Sequence, residues 1–183
     1  MQSELGMQFH FEHRIAAPLA AVEAAVLDPE RLERLPTISP FIRTATLLSW
    51  RDLGDTVERR AELRAEGLRK QVGPWFPFDQ VEWRDHIVWN RQTHFGTFEI
   101  DPRLPLGLRS QVICRGVYRL AEDGPSATHR FIEGEVEVDL PALGDIIVEA
   151  IVRLIRIHFD HDVGLLTSRA HAIAEAQDEP AAL

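Results

Sequence analysis

Two histidines and a carboxylate, His158, His161 and Asp162, stand close together near the C-terminal end of the chain. Residues three and four apart share one face of an α-helix, so these groups are spaced to converge on one target. Imidazole titrates near neutrality and a neighbouring carboxylate can orient a ring, so the trio has the parts for acid–base chemistry or for gripping a ligand's polar end. A metal site would need a further ligand from a strand, such as His13 or His94. The HExxH pattern is missing and no cysteine is near in sequence, so no metal is assigned. The plain alternative is a pair of hydrogen-bonded core histidines. Arg59 and Arg130 join the list because both fall at inward-facing parity in strand-like runs. An inward guanidinium must meet a ligand's carboxylate or phosphate, find an internal partner such as Asp85 or Asp162, or reach out past a sheet edge.

The element that must carry the histidines is a helix from Pro141 to about Ala174. Leu143, Ile147, Ala150, Ile151, Leu154, Leu165 and Ala172 form its apolar stripe, and Glu149, Arg153, Arg156 and Asp160 its wet side. His158 and His161 take two central places in the stripe, with Asp162 at its margin. A helix of this length spans roughly 50 Å, which suits a lid laid over something large. The preceding chain reads mostly as strands. Residues 7–15 alternate as a half-buried strand, and two short helices follow, one from Pro18 to Leu27 and one near Glu30 to Leu35 that ends before Pro36. Further strands are predicted over Phe41–Trp50, Thr56–Glu66, Gln80–Trp89, Arg91–Ile100, Arg109–Leu120 and Ala127–Leu140, with breakers between them. No strand–helix alternation signals a parallel sheet, so the class is α+β with an antiparallel sheet. Two proline-rich apolar loops, 73–78 (GPWFPF) and 101–108 (DPRLPLGL), suggest the rim of a cavity and a surface for transient membrane contact. Trp75 and Phe76 are candidate gate residues there. Trp89 and Phe98, with other aromatics, are candidates for an apolar lining.

Composition narrows the functional classes. The 183 residues and 45% hydrophobic content suit one domain spanning 1–183, with a core of about 7–174 and a frayed tail over 177–183. A formal charge of -9 argues against a general nucleic-acid binder. Cys114 is the single cysteine, so no internal disulfide forms and a cytoplasmic setting is expected. There is no leader-like or membrane-spanning segment in the sequence. Nucleophile elbows and glycine-rich phosphate loops are absent, so no cofactor is expected.

The stretches EWRDHIVWN (Glu82–Asn90), GVYRL (Gly116–Leu120) and above all GEVEVDLPALGDIIVEAIV (Gly134–Val152), in their place within this element order, resemble the START and polyketide cyclase-like (SRPBCC) superfamily. The likeness looks closest to a group of uncharacterised bacterial domains within it. The resemblance implies a helix-grip fold: a bent antiparallel sheet of about six to seven strands around a long C-terminal helix, with two short helices after strand one. It also implies an interior that holds an apolar small molecule, since the superfamily includes carriers of lipids, sterols and plant hormones, polyketide cyclases and oxygenase domains. The oxygenases' His/His/carboxylate iron motif is not recognised at corresponding positions here.

The leading expectation is therefore a non-catalytic binding protein. A lipid, sterol or polyketide-like body would lie against Leu154, Leu165, Trp75, Phe76, Trp89 and Phe98, and its polar end would meet His158, His161, Arg59 or Arg130. A cyclase, dehydratase or hydrolase-like enzyme using His158, His161 and Asp162 is the second reading. A protein-partner domain with a vestigial cavity is the third.

Overall fold

The structure, a computed structural model, describes residues 6–103, 112–139 and 144–178. In chain order it contains β1 (Gly6–Ile15), α1 (Leu19–Leu27), α2 (Pro29–Ile38), β2 (Ile42–Asp52), β3 (Thr56–Glu66), α3 (Leu68–Val72), β4 (Gln80–Asn90), β5 (Phe95–Arg103), β6 (Val112–Glu122), β7 (Thr128–Val138) and α4 (Gly144–Asp178). The strands form one seven-stranded sheet in the order β1-β7-β6-β5-β4-β3-β2, antiparallel throughout. Alternation sets its two faces. Phe9, Phe11 and Ile15 of β1, Val57, Ala61 and Leu63 of β3, and Ile132, Val136 and Val138 of β7 are buried, while the residues between them are half-buried or exposed. The long α4 packs on β1 and β7 and against α1 and α2.

A row of four residues crosses the sheet and explains how it bends. Phe9 pairs with Gly134, Gly134 with Gly116, and Gly116 with Phe98, on β1, β7, β6 and β5 in turn. The phenyl rings lie over the neighbouring glycines. A Cβ on Gly134 would come within 2.5 Å of the Phe9 ring, and one on Gly116 within 2.6 Å of the Phe98 ring and 2.2 Å of the Glu133 carbonyl oxygen. Glycine in a strand interior marks a tight bend or a close approach, and here it is both.

Several boundaries differ from the sequence reading for local reasons. Helix α2 does not stop at Leu35 but runs through Pro36 to Ile38, because a proline in the final turn removes one N–H without ending the helix. Strand β5 starts at Phe95 rather than Arg91, since 91–94 form a turn in which His94 takes a positive φ of 51°. It continues through Pro102 instead of ending at Ile100. Pro102 pairs only with Trp83 of β4, while the registered pairing to β6 stops at Ile100, so its missing N–H sits where no ladder bond is needed. Helix α4 extends beyond Ala174 to Asp178. Its expected start at Pro141, the stripe residue Leu143, the tail beyond 178 and most of the 101–108 loop lie outside the described residues. Helix α3 had no counterpart in the sequence reading.

Replacing Gly116 with alanine is expected to cost about 1–3 kcal/mol, the usual range for overpacking, read as a lower urea midpoint at unchanged slope. An unchanged midpoint would refute the close-approach account.

Candidate functional site

Helix α4 has its buried side along four-residue steps broken by one three-residue step at Phe159–Asp162: Ile147, Ile151, Ile155, Phe159, Asp162, Leu166 and Ala170 are buried or half-buried in succession. Each four-residue step advances the stripe about 40° around the axis, so it winds as the helix crosses the curved sheet. This corrects the straight stripe drawn from sequence. Ala172 is exposed, and Leu165 is half-buried against the core without lining the cavity. Asp162, placed at the margin by sequence, is 2% exposed and central. His161 lies about 100° from Asp162 on the helix and faces out; its Nδ1–H donates to the Ile157 carbonyl at 2.8 Å. The structure thus brings His158 and Asp162 inward and leaves His161 outside.

Asp162 is the hub of a buried charge cluster. One carboxylate oxygen accepts from Arg31 Nη1 on α2, and the other from Arg130 Nη1 on β7 at 2.7 Å. Arg130 is completely buried; its Nη2 donates to the Phe159 carbonyl at 2.9 Å and to His13 Nδ1 at 3.2 Å. A guanidinium only donates, so His13 Nδ1 accepts, and the ring proton sits on Nε2, directed at Asp160 Oδ1 at 2.9 Å. The Arg130 guanidinium also lies 5.5 Å from the Phe159 ring centroid and 5.8 Å from that of Tyr118, whose hydroxyl it approaches at 3.4 Å. Although burial alone would raise it, the Asp162 carboxyl is held well below its ordinary range by Arg31 and Arg130. It is a fixed anion and not an available base.

Between α4 and the sheet lies a cavity of about 220 Å³. Its wall is mostly apolar, with Leu63, Phe76, Trp83, Trp89, Phe98 and Tyr118 from one side and Ile151, Leu154 and His158 from α4. Burial pushes His158 down to about 4 from 6.5, with Arg31, Arg130 and Arg59 acting in the same direction and Asp162 against it. The ring is half-buried and lines the cavity, and among the described residues neither nitrogen has a hydrogen-bond partner. Opposite it, Arg59 Nη2 donates to Asp85 Oδ2 at 2.6 Å, an ion pair about nine-tenths buried that lines the same cavity. Arg59 and Arg130 thus both have internal carboxylate partners, Asp85 and Asp162. The Cys114 thiol also lines the wall, and burial pushes it up to about 12, which makes it packing and not a nucleophile.

The remaining candidates divide. Phe76 is 2% exposed and stands edge-on to Phe78 in the wall, whereas its neighbour Trp75 is 51% exposed and outside the cavity lining, so of the two residues expected at the cavity mouth only Phe76 reaches the cavity. Trp89 is fixed from behind, its indole N–H donating to Glu23 at 2.9 Å, and Glu23 also meets His94 Nδ1 at 2.8 Å. His13 and His94 therefore belong to separate networks. Among the described residues no group of three His, Cys, Asp or Glu side chains is arranged to hold a metal. Sequence reasoning missed Arg31 and Tyr118. Arg31 lies four residues before Leu35, on the same helical face, and Tyr118 shares the inward parity of Cys114 in β6; both were legible by spacing.

No family model matches the chain, and no curated protein matches it. Solved structures do. The Zhui aromatase/cyclase from Streptomyces sp. R1128 superposes with a TM-score of 0.68 at 12% identity, over 94% of this chain and 98% of that one. TTHA0849 from Thermus thermophilus gives 0.64 at 17% identity, over 91% and 99%. A norcoclaurine synthase mutant from Thalictrum flavum, in complex with a transition-state analogue, gives 0.62 at 16%, over 92% and 98%. These likenesses show the fold of this chain, a helix-grip in which an antiparallel sheet wraps a long C-terminal helix.

Two outcomes follow from the cluster. Asp162→Ala strands two guanidiniums in the interior and is expected to cost roughly 3–5 kcal/mol in urea unfolding, where a loss under 1 kcal/mol would contradict the assigned hub. Between about pH 6.5 and 4 the unfolded chain protonates residue 158 while the folded chain does not, so stability falls as the pH drops through that window. The slope from this one group is at most about 1.4 kcal/mol per pH unit, and His158→Gln should remove it. Further loss below the ordinary carboxylate range, from Asp162, should persist in that variant.

Proposed function

We propose that the chain binds a compact, mostly apolar small molecule in the cavity between the sheet and α4, with the ligand's polar group at His158. The observation that carries this is an apolar chamber whose wall presents an imidazole with no protein partner among the described residues. A ligand that covers this imidazole strips its water, so a ligand group that hydrogen-bonds the ring avoids leaving it unpartnered. Two solved structures sharing the fold, an aromatase/cyclase and a norcoclaurine synthase in complex with a transition-state analogue, support an interior that takes up a molecule.

The volume chooses among the ligand classes. A cavity of about 150 Å³ admits benzene, and drug-sized pockets begin at about 300 Å³. At about 220 Å³ this chamber fits a one- or two-ring body of polyketide-like character better than a sterol or an acyl lipid. Paired acid–base catalysis by His158 and His161 draws no support from the geometry, because His161 is outside and Asp162 is locked by two arginines. The fixed ion pairs and the unshared imidazole fit binding better than turnover. A cytoplasmic setting remains part of the proposal, consistent with the single buried thiol.

Protein purified from a cytoplasm and examined by native mass spectrometry is expected to carry a stoichiometric adduct, extractable into organic solvent. Leu154→Trp, which fills the cavity from the α4 side, is expected to abolish the adduct without unfolding the protein. A clean apo mass, with no thermal stabilisation by a panel of one- and two-ring compounds, would defeat the reading.

A further inference from the structure

The charges around the cavity do not balance. Arg31 and Arg130 share the single carboxylate of Asp162, one oxygen each, while Arg59 has Asp85 to itself. In the cavity wall and the cluster behind it, three buried guanidiniums thus face two carboxylates, Asp162 and Asp85; Asp28, equally buried, lies outside the wall and is held by Arg169. Other acids nearby do not correct this. Asp160, reached through His13, is 54% exposed and screened by water, and Glu23 stands behind the Trp89 indole, engaged with His94. Desolvating a cation without a counter-ion is costly, so a low-dielectric chamber with one surplus positive charge favours an anion.

Arg31 brings that surplus to the cavity. Arg130 is enclosed behind Asp162, whereas Arg31 itself lines the chamber alongside His158 and Asp162. The neutral imidazole offers one N–H donor to the same space, and no described protein group uses it. The Arg59–Asp85 pair is neutral overall and so does not repel a monoanion as a free carboxylate would. The chamber has room for one small ring system and one headgroup.

We infer that the ligand of this cavity is a small cyclic or aromatic monocarboxylic acid, bound as its anion, with the carboxylate against Arg31 and His158 and the ring among the aromatic and aliphatic walls. This rests on the reading of the cavity as a small-molecule site and names the ligand's chemical class. The carboxylate completes the cluster: two arginines would then face two carboxylates, Asp162 and the ligand's.

The test compares naphthoate with its neutral counterpart naphthylmethanol by titration calorimetry at neutral pH, on the wild type and on Arg31→Gln. The wild type is expected to prefer the acid by about tenfold or more. Arg31→Gln leaves Arg130 and Asp162 as a one-to-one pair, so it should fold, shown by a melting temperature no lower than the wild type's. In it the acid should lose about tenfold or more and the alcohol much less, so that the two affinities converge. Equal binding of acid and alcohol by the wild type would overturn the acid inference and leave the apolar-ligand reading standing. Loss of neither affinity in Arg31→Gln would overturn Arg31 as the anchor. Failure of both compounds to bind the wild type would sink the inference together with the reading beneath it.

Discussion

A carboxylate with no water around it is stable only where cations come to it, and Asp162 obliges three distant parts of the chain to meet. Arg31 comes from the helix α2, Arg130 from the last strand, and Asp162 from the middle of α4. Each guanidinium is in turn dependent on the carboxylate, because Arg130 is wholly enclosed and would otherwise be a bare buried cation. The pairing sets the rotation of α4 on the sheet. A turn of the helix by one residue would swing Asp162 about 100° from its partners.

This arrangement divides the interior. On one side of the cluster, Leu166 and Ala170 of α4 pack into Ala21, Val22 and Ala25 of α1 in a dry core. On the other side, α4 rides over the cavity, and Ile147, Ile151 and Leu154 face the sheet across open space. The helix is thus pinned at its middle and C-terminal half by packing and charge, while its first half roofs a chamber. The Phe9–Gly134–Gly116–Phe98 row serves the same end from below, since removing two side chains lets the sheet bend under the helix.

The site's electrostatics follow from desolvation. The imidazole at 158 stays neutral through physiological pH because burial and three nearby arginines outweigh the Asp162 anion. It therefore offers one donor and one acceptor, a pairing suited to recognition of a polar group. The ion pair at Arg59 and Asp85 adds a second polar place on the opposite wall at no net charge.

Sequence alone determined the order of the strands and of the long helix, the antiparallel class and the inward parity of Arg59 and Arg130, because strand alternation is a local property written at a period of two. It also marked His158 as an interruption of an apolar stripe. It even named Asp85 and Asp162 as internal partners for the arginines. The tertiary structure decided what a local pattern cannot carry. Whether Asp162 or His161 turned inward depended on how the stripe of α4 winds along a curved sheet, and a flat helical wheel contains no sheet. Trp75 and Phe76 are adjacent in one loop, and only packing chose which ring was buried. The surplus cation likewise came from Arg31, far away in sequence from the carboxylate that holds it, since charge balance in an interior is a sum over neighbours in space.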